Sequence, residues 1–313
     1  MSGPSLPLDA KDTVRSMAHF RGTTSRWNAV RMRDLYKGRP LSEGYPDLEK
    51  IGGAYYRRHQ DPRSRVRETF ECLRRLIDLT KGSRRVVVVG CGPNPHSIRD
   101  LFDLGYDTVG IEPDAGGASA AGTFVGGSVC ILQGRAECLP LRSESQRIVL
   151  MENVLEHVDS PRGALVEAHR VLVPGGVLFI YTTNNLKVSL AGRNDEFRMR
   201  FYHWFPDVLK ECYVHKHLHF DPRLAHFATR PAVHWFNYAK LCKLGRDVGF
   251  AKFYSLLDLL DEDAPSIQKS LLRRILLRHV RYRPWMRAIA LTQFGNSIFM
   301  LKRPVSSGAG VIR

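Results

Sequence analysis

Residues 84–98, RRVVVVGCGPNPHSI, constrain the fold of this chain more than any other segment. The four valines at 86–89 are β-branched and apolar, which is typical of a central parallel strand buried on both faces. Gly90 and Gly92 then let the backbone turn tightly and approach a ligand, and Pro95 suits the first position of a helix. The segment predicts a strand, a glycine loop and a helix whose first N–H groups can face a ligand.

A glutamate at the end of the next apolar segment extends this prediction to a ligand that carries a ribose. Glu112 closes the segment TVGIEP, about 20 residues beyond the loop, where a carboxylate can accept hydrogen bonds from ribose hydroxyls. Pro95 replaces the third glycine of the dinucleotide fingerprint GxGxxG, so the fingerprint is incomplete. On these residues alone, Glu112 fits the ribose of NAD and that of S-adenosylmethionine equally well.

The segments between residues 134 and 184 continue an alternation of strands and helices. GRAECLPL (134–141) indicates a loop, and RIVLMENVLEHV (147–158) indicates a buried strand that leads into another loop. In SPRGALVEAHRVLVPGG, Ser160 and Pro161 predict the N-cap and first residue of a helix, which Gly175 and Gly176 are expected to end. This alternation predicts an α/β fold built on a mostly parallel sheet.

Four ordered motifs, VVVVGCG, VGIEP, RAECLPL and NVLEHV…EAHRVLVPGG, resemble those of the class I, Rossmann-like S-adenosylmethionine-dependent methyltransferases. The resemblance is to the small-molecule group of that family and covers residues 66–184 most closely. It implies S-adenosylmethionine as the cofactor and a seven-stranded sheet of order 3-2-1-4-5-7-6 with the last strand antiparallel. Residues 249–259 and 296–303 are the expected last two strands.

The resemblance also implies cofactor contacts at the ends of four strands. The glycine loop would hold the methionine part, Glu112 the ribose, and the residues around Ala136 the adenine. Many family members have an aspartate before that alanine, but this chain has Arg135, so Glu137 or a backbone carbonyl is the expected partner of the adenine amino group. The complete expected set is Val89, Gly90, Cys91, Gly92, Glu112, Pro113, Arg135, Ala136, Glu137, Glu152 and Asn153.

Histidines are the candidates for a catalytic base, because a hydroxyl or amine acceptor can require one near neutral pH. His157 follows the fourth predicted strand, where a packing role is the alternative. His203 and His215 are further candidates, and His215 belongs to YVHKHLHFD, whose histidines also suit zinc or a solvated cluster. Relatives with Glu-x-x-Glu-His bind a cation at the position of Glu156 and His157, but Asn153 replaces the first carboxylate here, so we expect no metal.

The resemblance divides the chain into four parts. Residues 1–64 form a helical N-terminal extension that caps the acceptor, and 65–184 form the cofactor-binding core. Residues 185–248 form an insertion after the fifth strand, rich in aromatic residues, that recognises the acceptor. Residues 249–313 supply the last strands and a basic amphipathic helix.

The charge distribution bears on the partners. Residues 86–185 hold 6 Lys and Arg against 11 Asp and Glu, whereas residues 186–313 hold 22 against 10. Basic flanks favour an anionic partner, although solvated surface is the alternative. In SLLRRILLRHVRYRPWMRAIA (270–290), an apolar stripe that runs from Leu271 to Val280 lies opposite a set of arginines. This pattern suits an anionic membrane surface or packing on the sheet, and Pro284 is expected to end or kink the helix. Nucleic acid is less favoured, because no RNA-binding module is recognisable.

The resemblance and these observations together predict a methyltransferase that methylates an oxygen of a small molecule, with lipid-linked and sugar-bearing molecules among the candidate acceptors. The alternatives are an RNA methyltransferase and a cofactor-binding scaffold without catalysis. The six cysteines form no CxxC pair and no long apolar run is present, so we expect a cytoplasmic protein, peripheral to a membrane if the basic helix binds lipid.

Overall fold

The valine run forms an inner strand of a seven-stranded sheet in the computed structural model. The structure describes residues 62–78, 84–93, 95–184, 186, 234–260, 277–280 and 282–304. The candidate bases His203 and His215 lie outside these residues, as do nearly all of the predicted N-terminal cap and most of the insertion.

The helices and strands alternate along the chain as the sequence predicts. In order they are α1 (Pro62–Leu76), β1 (Arg85–Val89), α2 (His96–Asp103), β2 (Asp107–Glu112), α3 (Ala115–Phe124), β3 (Cys130–Gln133), β4 (Gln146–Glu152), α4 (Pro161–Val171), β5 (Leu172–Tyr181), α5 (Tyr238–Val248), β6 (Phe250–Ser255), α6 (Leu256–Leu259), α7 (Pro284–Phe294) and β7 (Ser297–Lys302).

The strand order is β3-β2-β1-β4-β5-β7-β6, which confirms the predicted Rossmann-like methyltransferase topology. Strands β1 to β5 pair in parallel, and β7 runs antiparallel to both β5 and β6. Since the carboxyl ends of β1 to β4 lie at one edge, residues that follow these strands gather there. The fold thus brings together loops that are far apart in the sequence.

Both faces of the sheet are buried, which is why β1 is uniformly apolar. Val87 and Val89 pack into one hydrophobic cluster, and Val86 and Val88 pack into another on the opposite face. Successive side chains of a strand point to opposite faces, so a strand covered on both sides needs apolar residues at every position. Because β1 is buried, the glycine loop that follows it is held in a fixed position at the edge of the sheet.

The helix before β5 ends earlier than the sequence predicts. Ser160 caps α4, where its hydroxyl accepts from Gly163 N at 3.0 Å, and Pro161 begins the helix as expected. The helix ends at Val171, however, so Gly175 and Gly176 lie within β5. The β4–β5 register shifts between Gln146 and Ile148, and Gly175 has a φ of +75°. The glycines therefore accommodate an irregular strand pairing and do not stop the helix.

Two more boundaries differ from the predictions. Strand β6 ends at Ser255, where Asp258 accepts from both the N–H and the hydroxyl of Ser255 and starts the short helix α6. This local cap ends the strand inside the segment 249–259 that was predicted as one strand. In the loop after β1, Pro95 is the N-cap of α2 and lies one position before its first helical residue.

The helices near the C-terminus pack against the sheet. Leu241 and Leu244 of α5, within the predicted insertion, join the hydrophobic cluster beneath β4 and β5. Pro284 opens α7, and the helical residues 277–280 precede it. Leu277 and Val280 are buried with Leu257. No helix among the described residues has the length and apolarity to cross a membrane.

Candidate functional site

The turn after β1 has the geometry that a close ligand approach requires. Gly90 and Gly92 adopt φ values of +65° and +68°, which favour glycine. The N–H groups of Gly90 and Cys91 donate to Ile111 O at 2.7 and 3.1 Å, which ties the turn to β2. A Cβ at Gly90 would lie 2.5 Å from Cγ2 of Val154, so a larger residue would clash with the loop after β4.

The side chain of Cys91 lies away from the ligand edge. Its sulfur lies near Gly110, where a Cβ would be 3.1 Å from Sγ. Burial, followed by the nearby Glu112, raises the pKa of the Cys91 thiol to about 12. The thiol therefore stays protonated at neutral pH, and Cys91 offers the site only its backbone, as does the buried Val89.

Glu112 links the ends of β1 and β2. One carboxylate oxygen accepts from Gly92 N at 2.9 Å, and the other accepts from Asp114 N at 3.4 Å. Burial raises the pKa of Glu112, and the two N–H donors partly offset this effect. A carboxylate has about four lone-pair positions, so both oxygens can accept further hydrogen bonds. Glu112 is positioned to receive a diol beside the glycine turn, and Pro113 continues the same edge.

The loop after β3 begins beside Glu112. Gly134 N donates to Glu112 O at 3.0 Å, and Ala136 is buried. Glu137 Oε1 accepts from Asp159 N at 2.7 Å and from Ser160 N at 3.3 Å. Its carboxylate therefore holds the start of α4, and this structural role counts against the expected contact between Glu137 and the adenine amino group.

Arg135 crosses from the loop after β3 to the start of α4. Its Nη2 donates to Asp159 Oδ2, and its Nε lies 3.8 Å from Glu137 Oε2. The two carboxylates raise the pKa of the Arg135 guanidinium, although burial opposes them as the largest single influence. Three charged side chains thus form one cluster at the edge where the resemblance implies an aspartate.

The end of β4 supplies the polar residues predicted there. Glu152 is the last residue of β4, and Asn153 follows with a φ of +53°, a conformation that asparagine tolerates better than most residues. Asn153 N donates to Tyr181 O at 2.7 Å. The Asn153 side chain is exposed at the ligand edge, while its backbone joins the end of β4 to the end of β5.

Glu156 is directed into the protein. Only 1% of it is exposed, and one carboxyl oxygen accepts from the hydroxyl of Thr182 at 2.7 Å. Burial raises its pKa, against smaller lowering effects of His157 and Thr182. Within the described ranges, no three His, Cys, Asp or Glu side chains group as a metal site. The half-buried His157 lies one residue beyond, in the same loop.

Two residues of this edge could not be found from the sequence. No sequence pattern marks Asp159 or Thr182 as part of the site. In the structure Asp159 binds Arg135, and Thr182 binds Glu156. Each pair joins loops after different strands. The only sequence signal was position, because both residues follow the carboxyl end of a strand or directly precede a helix at that edge.

Known proteins match the central part of the chain. A family model described as a methyltransferase domain matches residues 87–180. An uncharacterized methyltransferase of Mycobacterium bovis is 35% identical over 101 residues, which are 32% of this chain and 39% of that protein. A counterpart from Mycobacterium tuberculosis is 34% identical over the same share of each chain. The match thus spans about two-fifths of the length of these relatives.

A solved structure extends the likeness in fold to most of the chain. The plantazolicin methyltransferase BamL, solved with a triazolic desmethylPZN analogue and S-adenosylhomocysteine, has a TM-score of 0.51 and 15% sequence identity, over 93% of this chain and 98% of that one. At this identity the likeness concerns the fold alone. The domain model and the relatives show a methyltransferase domain at residues 87–180. The strand order around it is that of the class I, Rossmann-like S-adenosylmethionine-dependent methyltransferases.

Proposed function

We propose that this protein transfers the methyl group of S-adenosylmethionine to an oxygen of a small-molecule acceptor. The observation that carries the proposal is the contact between Glu112 and Gly92 N, because it sets a diol-binding carboxylate beside a turn without side chains. When the ribose lies at Glu112, the methionine part of the cofactor extends toward the glycine turn and the purine extends toward the loop after β3. The sulfonium then lies near the ends of β1 and β4.

Each residue of the edge has a role in this arrangement. The turn of Gly90 and Gly92 accepts the methionine part, since its positive φ values bring the backbone to the ligand edge and Gly92 has no side chain there. Ala136 borders the purine with a small apolar surface. Glu152 and Asn153 face the methionine end, where a carboxylate and an amide can bind its ammonium group.

The reaction is an in-line displacement at the methyl carbon. The acceptor oxygen forms a bond to this carbon while the carbon–sulfur bond breaks and its electron pair neutralises the sulfonium. Alignment of the two reactants is the main contribution of the protein, and such positioning can lower a barrier by up to about 7–11 kcal/mol. A hydroxyl acceptor also loses a proton, for which His157 is the nearest histidine in the described loop after β4.

The charge of the edge favours a small molecule over RNA. Glu112 and Glu152 lie at the ligand edge, and their negative charges repel a phosphodiester backbone, whereas the charge of Asp159 is paired with Arg135. We assign the recognition of the acceptor to the N-terminal extension and the aromatic insertion, as the family resemblance suggests. An RNA acceptor and a scaffold without catalysis are therefore outcomes of the experiment below.

A lipid-linked acceptor is supported by an apolar surface near α7. Tyr282, Trp285 and Ile289 are 81%, 61% and 60% exposed, and their spacing places them on one side of the chain around the start of the helix. The exposed Arg283 adds positive charge. Aromatic residues beside arginines are typical of segments that lie on anionic membranes. Val280 of the predicted apolar stripe is buried, so this part of the segment packs inward.

Methyl transfer from deuterated S-adenosylmethionine into a cell extract tests the proposal. The extract is separated into water-soluble, lipid and RNA fractions, and mass spectrometry locates the label. We expect label on oxygen in the small-molecule or lipid fraction. The matched control is Gly92→Val, whose side chain occupies ligand space. Label in RNA would establish the RNA methyltransferase, and cofactor binding without label in any fraction would establish the scaffold.

A further inference from the structure

The loop after β3 and the loop after β4 are joined by charged side chains. Arg135 donates to Asp159, and Glu137 accepts from the N–H groups of Asp159 and Ser160. Glu137 is thereby committed to the start of α4, and one oxygen of Asp159 is committed to Arg135. The arginine is the member of this cluster that retains unused hydrogen-bonding groups, since a guanidinium has five N–H donors.

The cluster lies where the purine of the cofactor must extend. Glu112 fixes the ribose at the end of β2, and the glycine turn takes the arm on the side of β1. The opposite arm meets the loop after β3, which begins next to Glu112 through the bond from Gly134 N to Glu112 O. Arg135 is the next residue of this loop, and Ala136 beside it is buried in the hydrophobic core, which fixes the loop against the sheet.

The position of Arg135 is set before any ligand binds. Asp159 is its ion-pair partner, and the N–H of Asp159 is itself held by Glu137 at 2.7 Å. A guanidinium held in this way donates hydrogen bonds in fixed directions and loses little freedom when it meets a ligand. It cannot accept a hydrogen bond in any protonation state that proteins reach.

We propose that Arg135, positioned by Asp159, donates hydrogen bonds to acceptor atoms of the cofactor's purine, so that the protein does not select for the exocyclic amino group of adenine. This inference rests on the proposed function, because it concerns the same cofactor site. Adenine offers ring nitrogens as acceptors, and hypoxanthine offers ring nitrogens and a 6-oxo group. A carboxylate at this position would instead accept from the amino group of adenine and repel the 6-oxo group of hypoxanthine.

Calorimetric titration with S-adenosylhomocysteine and S-inosylhomocysteine tests the inference. The two ligands differ only in the purine. The first has an amino group at position 6, and the second has an oxo group there and a proton on the neighbouring ring nitrogen N1. We expect the wild-type dissociation constants to differ by about threefold or less, which is below the effect of one typical hydrogen bond. In Arg135→Asp, we expect the preference for S-adenosylhomocysteine to rise to about tenfold or more, since a carboxylate accepts from the amino group of adenine and is repelled by the 6-oxo group of hypoxanthine.

Three further variants separate the position of Arg135 from its charge. Arg135→Gln should weaken the binding of both ligands, whereas Arg85→Gln, which removes an arginine from the start of β1 at the opposite edge, should leave both unchanged. Asp159→Asn should also weaken both ligands, because the guanidinium loses its charged partner. A weakening that follows Arg85→Gln as well would indicate a general charge effect and would overturn the inference.

The outcome distinguishes this inference from the proposed function. If S-adenosylhomocysteine binds and S-inosylhomocysteine is rejected by about thirtyfold or more, an acceptor for the amino group exists and the inference is wrong while the cofactor assignment stands. If neither ligand binds, both the cofactor site and the inference fail. The inference is supported if wild type binds both ligands with similar affinity and Arg135→Asp prefers S-adenosylhomocysteine.

Discussion

The buried carboxyl group of Glu156 accepts a hydrogen bond of 2.7 Å from the hydroxyl of Thr182, which joins the loop after β4 to the end of β5. Glu156→Ala leaves the hydroxyl unpaired and opens a cavity, so we expect it to lower the free energy of unfolding by about 2–4 kcal/mol. Glu156→Gln keeps an acceptor of the same shape and should cost about 1 kcal/mol or less. Urea denaturation measures both, and equal losses would show that the hydrogen bond is not made.

From the raised pKa of Glu156 we predict how the stability of the protein depends on pH. Because burial favours its neutral form, the folded protein holds this proton at pH values where the unfolded chain releases it. The stabilisation is complete below the ordinary value of 4.5 and is lost as the pH rises through the raised pKa. Wild type should therefore lose stability relative to Glu156→Gln between pH 4.5 and neutral pH. A constant difference in urea midpoints over this range would contradict the prediction.

Glu112 should dominate the affinity for the cofactor. Glu112→Ala removes hydrogen bonds between the ribose and a charged group, and we expect binding of S-adenosylhomocysteine to weaken by about 1.5–3 kcal/mol. Isothermal titration calorimetry gives the value, with Asp107→Asn at the opposite end of β2 as the control. NAD should bind more weakly than S-adenosylhomocysteine to the wild type. Tighter binding of NAD, or an unaltered affinity in Glu112→Ala, would show that the ribose site is misassigned.

The left-handed conformation of Asn153 allows its backbone and side-chain roles to be separated. Asn153→Gly keeps the left-handed conformation without strain and removes only the side-chain amide. It should therefore weaken cofactor binding and leave the midpoint of thermal unfolding nearly unchanged. Asn153→Val removes the amide and also strains the backbone, which should cost about 1–3 kcal/mol of stability. Thermal denaturation beside calorimetric titration compares the two. Equal stability of both variants would mean that the conformation relaxes without cost.

The surface at the start of α7 predicts salt-sensitive association with lipid. Trp285→Ser and Ile289→Ser remove two exposed apolar side chains that no described core cluster contains, so folding should be unaffected. We expect wild type to sediment with anionic vesicles at low salt and the double variant to remain in solution. Leu277→Ser, at a buried position, is the contrasting change and should lower stability. Equal sedimentation of wild type and the double variant would assign this helix a purely internal role.

The parts of the fold that the sequence predicted are those encoded in short, continuous patterns. The valines at 86–89 identify β1, Ser160 and Pro161 identify the start of α4, and the spacing from the glycine loop identifies Glu112. In each case a local preference and the tertiary environment favour the same structure. The seven-stranded order came from the resemblance, since no residue pattern specifies which strands pair.

The parts that were missed depend on contacts between distant segments. Arg135 and Asp159 lie 24 residues apart, and Glu156 and Thr182 lie 26 apart, without any periodicity that relates them. Gly175 and Gly176 favour the end of a helix in isolation, but the irregular pairing of β5 with β4 uses them inside a strand. Such residues acquire their roles only when the sheet is complete.

The antiparallel strand β7 comes last in sequence among the strands that the structure describes, yet it lies between β5 and β6. During synthesis the ribosome therefore releases β5 and β6 before the strand that joins them, and β5 carries an open edge of backbone N–H and C=O groups until residue 302 has emerged. Open strand edges are templates for aggregation, and nascent domains that expose them depend on chaperones. A chain that stops before Ser297 would keep all of the cofactor edge in its sequence and still be expected to aggregate, because the second half of its sheet could not close.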